Sequence, residues 1–222
     1  MMMTRKPIRV LCVDDHACLI DGLQAHLETT RDIEFVGRLS SAEDLVSEAR
    51  RTNAQVVLLD IEMPGPDVFE AMEDLRRQLP TARTIILSAY VRDHYIDAAV
   101  TAGAWGYLCK NDEPDSSVDA IRKVASGEFV FGPAVMGRCT VKRNGPVSDG
   151  NRITSKLQAL TAREQQILRM IGKGMSRAEI AKTLHRSPKT IDAHRASIME
   201  KMNIHDRVEL VLYAVREGLV EA

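Results

Sequence analysis

Along the first 130 residues, short apolar runs alternate with amphipathic stretches. The runs at 8–13 (IRVLCV), 33–37 (IEFVG), 56–59 (VVLL), 84–87 (TIIL) and 105–108 (WGYL) are nearly continuous in apolar character. Such runs suit strands of a parallel sheet covered on both faces, where no side alternates to water. Helical periodicity between them predicts helices over 17–28, 41–51, 67–78, 93–102 and 114–126. Ser41, with Asp44 three residues on, approximates a capping box and predicts that the second helix begins there. Five strand-then-helix units in succession predict an α/β fold, a five-stranded doubly wound parallel sheet of flavodoxin-like order.

The pattern dissolves after Gly132. The stretch GPAVMGRCTVKRNGPVSDGNRITS is rich in Gly, Pro, Ser and Asn, and reads as a linker over 132–157. Beyond it four helical patterns follow one another, over 162–172, 176–184, 188–202 and 206–217, with no strand signal. Ser176 suits the cap of the second, and Ser187-Pro188 supplies a cap followed by Pro in the first turn of the third. The expected organisation is therefore an α/β domain over 1–131, the linker, and a second, all-α four-helix domain over 158–222.

Charge sharpens that division. Residues 1–151 hold 17 Lys+Arg against 23 Asp+Glu, a net of −6, while residues 152–222 hold 13 against 8, a net of +5. An acidic front joined to a basic tail points to separate tasks, the tail being the part suited to nucleic acid. Hydrophobic residues at 45% and charged residues at 27% exclude a disordered or fibrous chain. No apolar run is long enough to span a bilayer, and Asp14 and Asp15 arrive too early for a signal-peptide core, so a cytoplasmic location is expected. The cysteines, Cys12, Cys18, Cys109 and Cys139, have neither metal-ligand nor CxxC spacing and read as buried reduced thiols.

In an open parallel sheet, ligands bind at the carboxyl ends of the strands, beside the point where strand order reverses. This chain places Asp14 and Asp15 at the end of the first strand, Asp60 after the third, Ser88 after the fourth and Lys110 after the fifth. Each Asp taken singly would pass as a turn former or helix cap. As a set they imply three converging carboxylates, which stay ionised together only around a cation. Mg²⁺ suits such oxygen ligands. Asp60, the central one, is then a candidate nucleophile for a phosphoryl group, with Lys110 and Ser88 available to the anionic oxygens.

These motifs, VDDH at 13–16, LLDIEMPG at 58–65, ILSA at 86–89 and GYLCK at 106–110, resemble the receiver domain of two-component response regulators over residues 8–130. The resemblance implies Asp60 as phosphoacceptor, with Mg²⁺ held by Asp15, by Asp14 through water, by Asp60 and by the backbone carbonyl of Glu62. It also implies Ser88 and Tyr107 as the switch pair. Read from the residue alone, Tyr107 is half-buried packing, and His16 is helix-cap material rather than a base. One departure is Val68, where receivers carry Gly. Val tolerates positive φ poorly, so the loop must take another path or bear strain.

In the tail, three residues separate the second and third helical patterns, the length of a helix-turn-helix junction. Ile180, Ala181 and Leu184 should pack on Ile191, Ile198 and Met202, leaving Lys189, Asp192, Ala193, Ala196 and Glu200 on the opposite stripe. An ordinary solvated face is the competing reading of that stripe. The segments LTAREQQIL at 160–168, SRAEIA at 176–181 and SPKTIDAH at 187–194 resemble the LuxR-type helix-turn-helix over 158–220. That implies 188–202 as the recognition helix on double-stranded DNA. Lys189, Thr190, His194, Arg195 and Lys201 would then meet phosphates, with Asp192, Ala193 and Ala196 facing bases. Family members often carry Lys where Asp192 stands; an acid there could accept from cytosine N4 or lie idle, and both alternatives remain open. Val208, Leu212 and Val215 on the fourth helix resemble a dimerisation face, with core packing as the rival.

Receiver plus LuxR-type domain resembles the NarL/FixJ class of response regulators. The expectation is a transcriptional regulator, not an enzyme, phosphorylated by a sensor histidine kinase and homodimeric when active. The alternative, prompted by Val68, is a DNA-binding regulator whose receiver no longer switches. An aspartate-nucleophile phosphatase is disfavoured because Glu62 stands where such enzymes use Asp. A flavin-binding domain is disfavoured because Asp14-Asp15-His16 is electrostatically wrong for a phosphate loop.

Overall fold

A computed structural model describes residues 6–142 and 152–220. The chain divides into two compact units, Met1–Val91 with Ala98–Gly137, and Arg92–Asp97 with Arg138–Ala222. The elements run in the order β1 (Ile8–Val13), α1 (Ala17–Glu28), β2 (Ile33–Leu39), α2 (Leu45–Arg51), β3 (Val56–Leu59), α3 (Val68–Gln78), β4 (Arg83–Ser88), α4 (Asp93–Ala102), β5 (Gly106–Cys109), α5 (Pro114–Ser126), β6 (Val130–Phe131), α6 (Pro133–Met136), β7 (Cys139–Lys142), β8 (Arg152–Ser155), α7 (Ala162–Gly172), α8 (Arg177–Thr183), α9 (Pro188–Met202) and α10 (Arg207–Arg216).

In the first unit the strands form one parallel sheet in the order β2-β1-β3-β4-β5-β6. The apolar runs become its central strands because both faces are covered. On one face Val10, Cys12, Val56, Leu58, Ile85, Leu87 and Leu108 cluster with Ile20 and Leu27 of α1 and Ile121 and Val124 of α5. Their neighbours along the strands, Leu11, Val13, Val57, Leu59 and Ile86, are just as buried, and the pleat turns them to the opposite face.

Four expectations need correction here. The sheet has six strands rather than five: β6 is two residues long, too short for any periodicity, and is held by backbone pairing to Gly106 and Tyr107. The second helix begins at Leu45 rather than at 41; Asp44 is its N-cap, without a side-chain cap hydrogen bond, and Ser41 lies outside it. Within 132–157, read as a structureless linker, the chain forms α6 and the antiparallel pair β7–β8, while residues 143–151 lie outside those described. Of the four cysteines only Cys12 is buried, and Cys18 at the start of α1 is exposed.

Val68 bears no backbone strain. The left-handed residue of its loop is Gly65, at φ +115°, and Val68 is not among the non-glycine residues with positive φ. Asp67 instead caps α3, accepting from the N–H groups of Phe69 and Glu70 at 2.8 and 3.1 Å, so Val68 enters as the first helical residue and is buried.

The second unit contains a core of Leu160, Ile167, Leu168, Ile171, Ile180, Ala181, Ile191, Ile198, Met202, Leu210, Ala214 and Val220, with Leu184 packed against it. Close crossing of α7 and α10 requires glycine at 172, where a Cβ would stand 2.6 Å from that of Ala214. Full capping boxes start both α7 (Thr161 with Glu164) and α8 (Ser176 with Glu179). Glu164 does more than cap. Its carboxylate also accepts from Ser197 at 2.8 Å and from Lys201 at 2.6 and 2.9 Å, tying α7 to α9. Burial alone would raise its pKa, but Lys201, the Thr161 N–H and Ser197 outweigh burial and hold it at about 2.

Two outcomes follow for stability. Val68→Gly should lower the urea-unfolding free energy of the first unit by about 2 kcal/mol, since it deletes a buried side chain and relieves no strain. Because the folded pKa of Glu164 lies below the unfolded value of 4.5, the stability it contributes is complete above pH 4.5 and is lost as pH falls towards 2. Calorimetry should show Glu164→Gln melting earlier than the unsubstituted chain at pH 7 and converging with it in acid.

Candidate functional site

The sheet aligns its polar residues by extending the hydrogen-bond ladder just past each strand. The Asp14 N–H donates to the Leu39 carbonyl and the Asp60 N–H to the Val13 carbonyl, each at 2.9 Å, and the Lys110 N–H donates to the Ser88 carbonyl at 2.8 Å. Backbone pairing therefore sets these residues at adjoining strand ends, beside the reversal of order between β1 and β3.

Their side chains meet. Lys110 Nζ lies 2.7 Å from Asp14 Oδ2 and 2.8 Å from Asp60 Oδ2. Asp14 and Asp60 are 5% and 1% exposed, whereas Asp15 lies open to solvent. Burial alone would push the Lys110 pKa down, but hydrogen bonds and charge from Asp14 and Asp60 more than offset it and hold the ammonium above its usual range. Glu62 joins through its backbone, its N–H donating to Asp60 Oδ1 at 3.2 Å.

His16 is part of the same cluster, a role its position after the acid pair did not reveal. It occupies the N-cap of α1 but makes no side-chain cap hydrogen bond. Its Nδ1 stands 2.8 Å from Asp15 Oδ1 and 3.1 Å from Asp14 Oδ1, and its backbone N–H donates to Asp14 at 2.9 Å. One ligand atom each from Asp14, Asp15, His16 and Asp60 lie within 4.8 Å of one another. Three carboxylates against one ammonium leave net negative charge, and their oxygens are a hard-ligand set that fits a divalent cation. Beneath it, burial and the nearby Asp14 push the Cys12 thiol up to about 12, which keeps it protonated.

Ser88 and Tyr107 are both fully buried and share one partner. The Ser88 hydroxyl donates to the Tyr90 carbonyl at 3.1 Å and accepts from the Tyr90 N–H at 3.1 Å, while the Tyr107 hydroxyl donates to the same carbonyl at 2.9 Å. Tyr90 was not legible as a site residue because it acts through its backbone.

In the second unit, Ser187 caps α9, accepting from the Thr190 N–H at 3.2 Å, and its hydroxyl pairs with that of Thr190 at 2.9 Å. Lys189, Ala193 and Ala196 are exposed along one stripe, with Thr190, His194 and Arg195 half-buried at its flanks. Lys201 stands apart from them, in its ion pair with Glu164. Asp192 also has partners: Arg177 Nη1 at 2.9 Å and Arg195 Nη2 at 3.6 Å. On α10, Val208 and Leu212 are exposed, whereas Leu210 and Ala214 enter the core.

Two family profiles match the chain: one described as "Response regulator receiver domain" over residues 10–122, and one as "Bacterial regulatory proteins, luxR family" over 158–214. The Response regulator protein VraR of Staphylococcus epidermidis is 32% identical over 217 residues, covering 96% of this chain and 99% of that protein. VraR of Staphylococcus aureus is 32% identical over the same shares. Among solved structures, the RcsB response regulator of Salmonella typhimurium covers 93% of this chain and 98% of its own, with a TM-score of 0.66 and 23% identity. Response regulator ChrA of a heme-sensing two-component system covers 97% and 100%, with a TM-score of 0.51 and 29% identity. A receiver sheet with its acid cluster, followed by a four-helix unit with a LuxR-type signature, thus recurs along one continuous chain, and the protein belongs to the NarL/FixJ class of two-component response regulators.

Proposed function

We propose that Asp60 is the phosphoacceptor of a switch that controls DNA binding by α9. The observation that carries this is the seat of Asp60: nearly buried, central among the strand ends, 2.8 Å from Lys110 and held by the Glu62 N–H. A carboxylate oxygen of Asp60 attacks the phosphorus of a phosphohistidine on a sensor kinase. The P–N bond breaks, the imidazole leaves with the bonding pair, and an acyl phosphate forms on Asp60. Lys110 offsets the added charge, and Asp14, Asp15 and the carbonyl of Glu62 are the groups that would hold Mg²⁺ with Asp60. When bound, Mg²⁺ supplies the charge neutralisation that lets a phosphoryl group approach three carboxylates.

The Tyr90 carbonyl supports a route outward. If the Ser88 hydroxyl turns to a phosphoryl oxygen on Asp60, it gives up that carbonyl, which Tyr107 also uses. Changing one partner therefore biases the position of the other, the kind of local two-state element a modification can shift. A receiver that no longer switches was the alternative prompted by Val68, and an unstrained Val68 removes its motive.

The output is sequence-specific double-stranded DNA binding, with Lys189, Thr190, His194 and Arg195 at phosphates and Ala193 and Ala196 permitting close approach to base edges. The ion pair with Glu164 makes Lys201 a structural residue first. RcsB is described in complex with DNA, including two RcsB dimers on two parallel DNAs, and exposed Val208 and Leu212 suit a homodimer here. No helix among the described residues is long and apolar enough to cross a membrane. We place the protein in the cytoplasm, as a regulator rather than an enzyme.

With Mg²⁺ and a small acyl phosphate, intact-mass measurement should show one added phosphoryl group, absent in Asp60→Asn and in chelator-treated protein. Equal labelling of Asp60→Asn would remove the assignment. For the output, Lys189→Ala should weaken binding to all duplexes about uniformly and lower the log-affinity against log-salt slope by about one, as read by fluorescence anisotropy.

A further inference from the structure

A carboxylate on the recognition helix is an expense when the partner is polyanionic, so Asp192 calls for an explanation. Two roles were open from the residue alone, acceptance from a cytosine amino group or none. The geometry fits neither. Asp192 Oδ2 already accepts from Arg177 Nη1 at 2.9 Å, across the junction between α8 and α9. Oδ1 is buried and takes no hydrogen bond among the described residues. It faces Arg195 Nη2 at 3.6 Å, beyond hydrogen-bond length but within ion-pair reach. A buried oxygen cannot reach into a groove, and its partner is engaged by a guanidinium.

The arginines are placed differently. The side chains of Arg177 and Arg195 are 59% and 42% exposed, against 33% for Asp192. Each guanidinium carries five N–H donors in a rigid plane, so an edge spent on Asp192 leaves the others available. A third cation, Arg207, lines the same small cavity of about 30 Å³ with Met175, Arg177, Asp192 and Arg195, and its Nη2 donates to the Met175 carbonyl at 3.0 Å. The carboxylate thus pairs with guanidinium groups from α8 and α9, while Arg207 of α10 lines the same cavity. Free arginines on this surface would sample many rotamers, and ordering them on DNA would cost conformational entropy. Held by Asp192, they meet the duplex already aimed.

We propose that Asp192 is a positioning residue that sets sequence preference indirectly, by holding Arg177 and Arg195 as oriented donors to the DNA, and that it does not itself read a base. This rests on the DNA-binding role of α9 proposed above. Removing the charge then has two opposite effects. Loss of a negative charge facing phosphates strengthens binding to any duplex, while loss of orientation weakens discrimination.

The test begins with selection of a duplex library, randomised over about two helical turns, by the full-length wild-type chain. The enriched duplex and a scrambled one are then titrated by anisotropy against wild type, Asp192→Asn, Arg177→Ala and the double variant, with melting temperatures taken alongside. Expected is a severalfold rise in the affinity of Asp192→Asn for the scrambled duplex. Its preference for the enriched duplex should fall about tenfold, and Arg177→Ala combined with it should lower that preference little further, the non-additivity of residues acting together. Fully additive losses, or a loss in Asp192→Asn confined to one C·G pair that Arg177→Ala leaves intact, would mean direct base reading and overturn the proposal. So would equal losses on both duplexes with a lowered melting temperature, which mark a structural role only. If the wild type enriches no sequence, the DNA-binding reading fails first and takes this one with it.

Discussion

Three carboxylates gathered at the ends of adjoining strands repel one another, and the first unit is organised around holding them there. Two of them are nearly out of water. Asp14 and Asp60 stay in place because the ladder bonds to Leu39 and Val13 fix their backbones and because one ammonium, Lys110, stands between their oxygens. Removing that lysine would leave buried charge unpaired, which costs more than an ordinary surface ion pair contributes. Even with it the cluster is short of positive charge. A divalent cation would make up that shortfall and, on the proposed reading, let a phosphoryl group approach Asp60, so the chemistry would follow from the packing.

The way out of the pocket is equally economical. Ser88 and Tyr107 are buried on neighbouring strands, and the Tyr90 carbonyl accepts from both. On the proposed reading, a group that draws off the serine hydroxyl would change what the tyrosine hydroxyl meets. No long chain of contacts is needed for such coupling, only a shared acceptor with two donors.

The second unit answers a different demand, which is to present cations on a small frame without losing that frame. Glu164 joins the capping box of α7 to Ser197 and Lys201 of α9, so a half-buried network fixes how α9 sits on the core. Asp192 does on the surface what Glu164 does beneath it. Each carboxylate positions basic groups, one for stability and one, on the reading argued above, for recognition.

The elements themselves were largely legible in the chain. Continuous apolar runs mark strands buried on both faces, and 3.6-residue periodicity with Ser, Thr, Asp and Pro at the starts marks the helices, because both signals come from which side of an element meets water. The acid pocket was legible for the same reason: strand ends are points where a polar residue must emerge, so Asp14, Asp60, Ser88 and Lys110 could be placed before their distances were known. Other features arise from backbone geometry or from partners distant in sequence, and periodicity carries no trace of either. β6 is held by pairing alone, the left-handed turn falls at Gly65 rather than at Val68, and Tyr90 acts through a carbonyl. The His16 ring turns to Asp14 and Asp15 instead of capping its helix, Lys201 is taken by Glu164, and Asp192 is engaged by Arg177 across a helix junction. Residue type and spacing therefore determined the two units and the chemistry each can carry. Which charged side chain pairs with which was decided by tertiary structure, because an ion pair depends on a few ångströms of separation that only the packed elements establish.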